Sequence, residues 1–292
     1  MDLKLLLEKL SLPNFPIGLG GCKNSETTFD CCEYNITIFD NKTEESTVIE
    51  VDGELVKVHH GSLSETNPAV LRQYYGMKIL SDDQWNLRIF LSKIKEKSDM
   101  ISHSYIQNCL VDAGIYATKA KDGVKTSDPF SSSWLKCSAY SLADAILLIN
   151  SERPSPAHML EYVRGFKKNR INETFAVVNQ CIGVERATTT LLPRMFKSTV
   201  GFSDMVEANG HSQIMQRKYD FLIQNSLLSD CYFYLGYMNR NNLIKIKDKV
   251  HRRPDLVHLL KVALDIESDQ LEIVRQASSL LETTNELVST LK

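Results

Sequence analysis

Gly18-Leu19-Gly20-Gly21-Cys22-Lys23-Asn24-Ser25-Glu26-Thr27-Thr28-Phe29-Asp30-Cys31-Cys32-Glu33-Tyr34-Asn35-Ile36-Thr37-Ile38-Phe39-Asp40 is the stretch on which the reading of this chain turns. An apolar run at residues 15–19 meets the pair Gly20-Gly21, a polar segment follows, and an alternating strand resumes over residues 33–39. Glycines at a strand end let another group approach the backbone, and the amides beyond them can point at a phosphate. In the second strand the two-residue period sets Glu33, Asn35, Thr37 and Phe39 on one face and Tyr34, Ile36 and Ile38 on the other. The expected layout is strand, glycine turn, short helix or loop, strand.

On the N-terminal side, leucines 3, 6, 7 and 10 make a helical stripe interrupted by Lys4, Glu8 and Lys9, so this segment reads as an amphipathic helix and not as a signal peptide. Pro13 and Pro16 end it. On the C-terminal side, two strand-like runs at 47–51 and 54–59 flank Asp52-Gly53, a strong hairpin signal. A helix is expected over 68–76, a short strand running into a turn over 77–83, and an amphipathic helix over 84–97. His59 and His60 are adjacent in a strand and point to opposite faces, so a shared role as proton carrier or metal ligand is ruled out for the pair; a strand-end surface histidine is the plainer reading.

Residues 14–97 resemble the nucleotidyltransferase superfamily with the DNA polymerase β-like fold, of the kanamycin and minimal nucleotidyltransferase type. Its signature is a hydrophobic residue and Gly-Gly or Gly-Ser, then acid-hydrophobic-acid-hydrophobic on a later strand; here Gly20-Gly21-Cys22 precedes Glu33-Tyr34-Asn35-Ile36. The resemblance implies an α+β fold, with an N-terminal mixed sheet and flanking helices followed by a C-terminal all-α bundle. It also implies transfer of a nucleoside monophosphate from a nucleoside triphosphate to an acceptor hydroxyl, with Mg²⁺ as cofactor. In that scheme Gly20 and Gly21 cradle phosphates, Cys22 stands for the phosphate-binding hydroxyl, Glu33 is the metal-binding carboxylate, and Asn35 replaces the second acid. The third acid would fall at Lys57, with Glu50, Asp52 and Glu54 as neighbouring candidates.

Mg²⁺ takes anionic oxygen ligands, an amide is a weaker substitute, and an ammonium at Lys57 reverses the charge. The expectation is therefore a nucleotidyltransferase-fold protein with a weakened or lost metal site, acting as a nucleotide-binding or interaction module. The alternative is an active Mg²⁺-dependent nucleotidyltransferase.

The length of 292 residues suits two domains, expected at 1–98 and 99–292. With Lys+Arg 34 against Asp+Glu 36 there is no global basic field, so a nucleic-acid partner would need a local patch, for which residues 245–253, with Lys245, Lys247, Lys249, Arg252 and Arg253, are the candidate. Cysteines 22, 31, 32, 109, 137, 181 and 231 are odd in number and lack Cys-x-x-Cys spacing. They are expected to be reduced, in a cytoplasmic protein without a zinc motif. No apolar run approaches the ~20 residues of a membrane span.

Beyond residue 98 strand signals nearly vanish. Helices are expected over 101–120, 134–149, from Pro154 to about residue 167, and over 173–184, 185–196, 215–237, 254–265 and 268–291, with a loop at 121–129. The 134–149 helix reads as buried, and Asp144 within it needs either a basic partner or a solvent cleft, where it could serve an acceptor site.

Overall fold

The computed structural model describes residues 15–25, 27–207, 209–266 and 269–291; the helix expected over residues 3–10 lies outside them. The chain is α+β and forms two compact units. The first runs as far as Ser104 and takes in the later segment Glu207–Phe221, while the second comprises Tyr105–Val206 and the chain from Leu222 onward.

In the first unit the alternating runs become five strands: β1 (Ile17–Gly20), β2 (Tyr34–Ile38), β3 (Thr47–Val51), β4 (Glu54–His60) and β5 (Lys78–Ser81). Their spatial order is β3-β4-β2-β1-β5. All neighbouring strands are antiparallel except β2 and β4, so the sheet is mixed. The β3–β4 turn uses Asp52 and Gly53 in the left-handed region, at φ 53° and 78°, the twist a two-residue hairpin requires.

The period-2 pattern gives one apolar face built from Ile17, Leu19, Ile36, Ile38, Val56 and Val58. A second cluster joins Phe39 to Tyr74, Leu87 and Ile94 on two helices, α1 (Pro68–Tyr74) and α2 (Asn86–Glu96). Asn67 accepts the Ala69 amide to cap α1, with Pro68 at its first position.

The helices continue as α3 (Ser98–Thr126), α4 (Ser131–Ile149), α5 (Met159–Gly165), α6 (Arg170–Glu173), α7 (Phe175–Ile182), α8 (Leu192–Val206), α9 (His211–Gln224), α10 (Leu228–Val250), α11 (Pro254–Leu264) and α12 (Gln270–Thr290). In the second unit α4 is the core: every residue from Ser131 to Leu148 is buried, as befits a helix apolar on most of its surface. Buried Lys136 donates to the carbonyls of Ile182 and Asp265, at the C-terminal ends of α7 and α11, and to the Tyr232 hydroxyl. A cation is favourable where two helix dipoles end.

Asp144 has its basic partner within the same unit: Arg240 on α10 bonds it at 2.8 Å and the Tyr237 hydroxyl donates to both of its oxygens. It is an interhelical ion pair, not a cleft residue. Among the described residues no helix is long and apolar enough to cross a membrane.

Four helix expectations are corrected. The loop expected at 121–129 is mostly helix, because α3 continues to Thr126. Gly123 packs so close to the Ser131 side chain that a Cβ would lie 2.5 Å from its hydroxyl, so this glycine permits contact and does not break the helix. The helix expected over 215–237 is two, α9 and α10, separated by a turn with Ser226 at φ 58° and the Leu227 amide bonded to the Leu222 carbonyl. The apolar run Leu227-Leu228 hides this break in the sequence. Residues 185–196 contain the end of a 3-10 turn, Val184–Arg186, and the start of α8. The helix expected from Pro154 begins only at Met159.

Candidate functional site

β1 ends at Gly20, and Gly21 takes φ 75° and ψ −173°, a conformation open to glycine and strained for other residues. A Cβ there would lie 2.4 Å from the Asn35 amide nitrogen, so Asn35 fills the space beside the turn. Cys22 opens the 3-10 turn Cys22–Asn24 and is buried. Antiparallel pairing places Gly20 opposite Asn35, and the parallel pairing of β2 with β4 places Asn35 beside Lys57 and Thr37 beside His59. The register thus brings Gly20, Gly21, Asn35 and Lys57 together at one region of the sheet.

Glu33 lies just before β2 and is 7% exposed. Its Oε1 accepts the Asn35 amide at 3.2 Å, and Oε2 meets the Lys218 ammonium at 2.8 Å. Burial pushes the Glu33 carboxyl up, but the Lys218 charge and its hydrogen bond outweigh that and hold it below the ordinary carboxylate range. Asn35 Oδ1 accepts in turn from His59 Nε2 at 3.2 Å. Burial, followed by the neighbouring Lys57 and His211, pulls His59 down to about 3, so the ring is neutral at pH 7.

Lys57 approaches His211 Nδ1 at 3.5 Å, and His211 Nε2 contacts Glu207 at 2.6 Å and the Ser46 hydroxyl at 3.1 Å. Two hydrogen-bonded groups thus stand near each other in the first unit, Lys218–Glu33–Asn35–His59 and Lys57–His211 with Glu207 and Ser46.

Among solved structures the chain is similar to a nucleotidyltransferase-like protein from Exiguobacterium sibiricum 255-15, at 11% identity and a TM-score of 0.38, covering 86% of this chain and 88% of that one. No family model and no curated protein matches the chain.

Lys218, His211 and Glu207 were not among the residues singled out from sequence. They come from the segment Glu207–Phe221, which belongs to the first unit although more than a hundred residues separate it from the sheet. The Val48 amide on β3 bonds to the Asn209 carbonyl, Gly210 packs on Val48, and Phe221 stacks on Phe29 at 5.1 Å. A signal was present: residues 211, 214, 215, 218 and 222 form the inward stripe of α9, and two of these five positions, His211 and Lys218, are polar where the pattern calls for apolar residues.

The other candidates lie apart from this network. Glu54 pairs with Arg217 at 3.5 Å, and His60 bonds the Asp40 carboxylate at 2.9 Å. In the second unit Lys245, Lys249, Arg252 and Arg253 are exposed, and Arg253 is bonded to Asp255.

Proposed function

We propose that this chain has a nucleotidyltransferase-type first unit in which an internal ammonium ion takes the place of the catalytic metal, leaving a metal-independent nucleotide-binding or interaction module. The observation that carries this reading is the Glu33–Lys218 pair, 2.8 Å apart with both side chains about nine-tenths buried. Mg²⁺ at Glu33 would need two or more anionic oxygens around it. The groups at hand are one carboxylate already neutralised by Lys218, the amide of Asn35, the neutral ring of His59 and the cation of Lys57. A divalent ion entering there would meet two ammonium groups and would have to displace one of them. The set does not suit Mg²⁺, and no transfer step is assigned to it.

What remains is recognition. Gly20 and Gly21 with the 3-10 turn form a compact backbone feature, and Lys57, Lys218 and His211 supply cationic or hydrogen-bonding groups that favour anionic partners. Calorimetric titration with the four nucleoside triphosphates, with and without Mg²⁺, tests the reading. The expected outcome is nucleotide binding that Mg²⁺ leaves unchanged, with no nucleoside monophosphate transferred to an acceptor. Mg²⁺-dependent transfer by the parent protein that disappears in Glu33→Ala would establish the active-enzyme alternative instead.

A further inference from the structure

The connection between α8 and α9 holds the single Asn-Gly pair of the chain, Asn209-Gly210. Asn209 is exposed, and among the described residues its side-chain amide has no hydrogen-bond partner. The Gly210 amide likewise donates to no acceptor among them, and Gly210 takes φ 84°. The Asn209 carbonyl, by contrast, accepts the Val48 amide at 3.0 Å and so covers part of the outer edge of β3, the end strand of the sheet. Both residues belong to the first unit, in the segment that carries His211 and Lys218.

We infer that Asn209 is a site of spontaneous deamidation, with water as the co-reactant, and that the reaction unfastens this segment from β3. The Gly210 nitrogen attacks Cγ of Asn209, its proton leaves with the amide group as ammonia, and a five-membered succinimide forms. Water then opens the ring on either side of that nitrogen. Cleavage at Cγ gives aspartate, and cleavage at the main-chain carbon gives isoaspartate, whose chain to His211 runs through Cγ and is one carbon longer. Nothing is oxidised or reduced. A glycine after the asparagine leaves the attacking nitrogen unscreened by a side chain, and a connection outside any helix lets the two groups meet.

The consequence follows from what the Asn209 carbonyl holds. In isoaspartate that carbonyl becomes a free carboxylate off the main chain, so its bond to Val48 no longer anchors the segment. Gly210 also packs on Val48, where a Cβ would lie 3.1 Å from the valine Cβ, and so leaves little room for a longer chain. Either product adds a negative charge two positions from both Glu207 and His211, which already meet at 2.6 Å. The inference concerns the hold on this segment and does not depend on whether Glu33 binds a metal.

The test incubates the full chain in mildly alkaline buffer and follows it by peptide mass mapping, beside the isolated tryptic peptide that holds Asn209. The expected result is a gain of about one dalton at Asn209 ahead of every other asparagine, with ammonia released in step, and a folded-state rate within about tenfold of that of the peptide. Asn209→Gln should suppress the gain, since its longer side chain closes a six-membered ring much more slowly. Hydrogen exchange then reads the consequence: the Val48 amide should lose about tenfold or more of its protection in the isoaspartate fraction and keep it in Asn209→Asp, where the main chain is unchanged. Should Asn209→Gln fold poorly, the mass, ammonia and exchange measurements on the parent still decide the matter. A folded-state rate more than about tenfold below that of the peptide overturns the site, and deamidation with Val48 protection intact overturns the release.

Discussion

Each unit of this protein contains a carboxylate and a cation that are both largely buried, Glu33 with Lys218 in the first and Asp144 with Arg240 in the second, and the two pairs behave differently. Asp144 is 2% exposed in a helical core, where loss of water pushes its carboxyl up despite Arg240 and Tyr237. Arg240 is likewise pushed down by burial, but the attraction of Asp144 more than restores it, so the guanidinium keeps its charge. Glu33, at the start of a strand, shares its charge with Lys218 and the Asn35 amide and ends below the ordinary range. The lesson is that an ion pair's contribution depends on how completely water is removed and on the number of donors that replace it. A pair in a sealed helical core serves packing specificity, while a pair on a sheet face lined by further polar groups is the one that ligands or ions can contest.

The largest effect is expected in the second unit. Arg240→Met leaves Asp144 buried beside Tyr237 with no counter-charge, and should cost about 3–5 kcal/mol in urea unfolding. The double variant Asp144→Asn with Arg240→Met should recover most of that loss, because no uncompensated charge remains. A single variant as stable as the parent would remove the contrast between the two pairs.

Next comes Lys218→Met. Its removal strands the Glu33 charge at a site with some residual solvent contact, so the expected cost is smaller, about 2–3 kcal/mol. This variant also sharpens the functional side of the comparison. With the ammonium gone, Mg²⁺ should raise its melting temperature while leaving that of the parent unmoved, and adding Asn35→Asp should enlarge the Mg²⁺ response. A parent whose melting temperature rises with Mg²⁺ alone would count against the internal-cation reading.

The contrast between units also explains what was legible in the sequence. The sheet was, since Asp52-Gly53 and the alternation of residues 34–38 and 54–60 encode pairing through local turn chemistry and a period of two. Asp144 announced its need for a partner, because a charge inside an apolar helix is costly wherever the helix packs. What could not be read was the identity of either cation. Arg240 is 96 positions from Asp144, and Lys218 reaches Glu33 from a helix whose end was obscured by an apolar run bridging α9 and α10. Tertiary pairing across such separations leaves no local pattern beyond a polar residue in an apolar stripe. The approach of Cys32 to Cys22 was hidden for the same reason: residues 29–32 form a turn, closed by the Cys32 amide on the Phe29 carbonyl, and no spacing in the sequence records it.

A third prediction concerns pH. His59 titrates near 3 in the folded protein, against 6.5 for an ordinary histidine. Below pH 6.5 the unfolded chain takes up a proton that the folded chain refuses, so stability should fall as pH drops from 6.5 towards 3, with a slope of up to about 1.4 kcal/mol per pH unit. His59→Gln keeps a donor for Asn35 without the titration, so its stability should decline less between about pH 7 and about pH 5, by at most about 2 kcal/mol relative to the parent. Parallel curves for the two proteins would mean that the ring is not held neutral by this network.

The smallest effect is expected at an ion pair with good geometry and no burial. Arg253 bonds both oxygens of Asp255, at 3.1 and 2.8 Å, beside the start of α11, and both side chains are about 60% exposed. Water and salt screen such a pair, and holding two long side chains in one arrangement offsets most of the attraction. Arg253→Ala also leaves Asp255 in the first turn of α11, where its charge still complements the helix dipole. The unfolding midpoint should therefore not move measurably, in low or high salt. If the loss instead matched that of Lys218→Met, removal of water would not be the variable that separates the pairs of this protein, and the ranking of Arg240 over Lys218 would lose its physical basis.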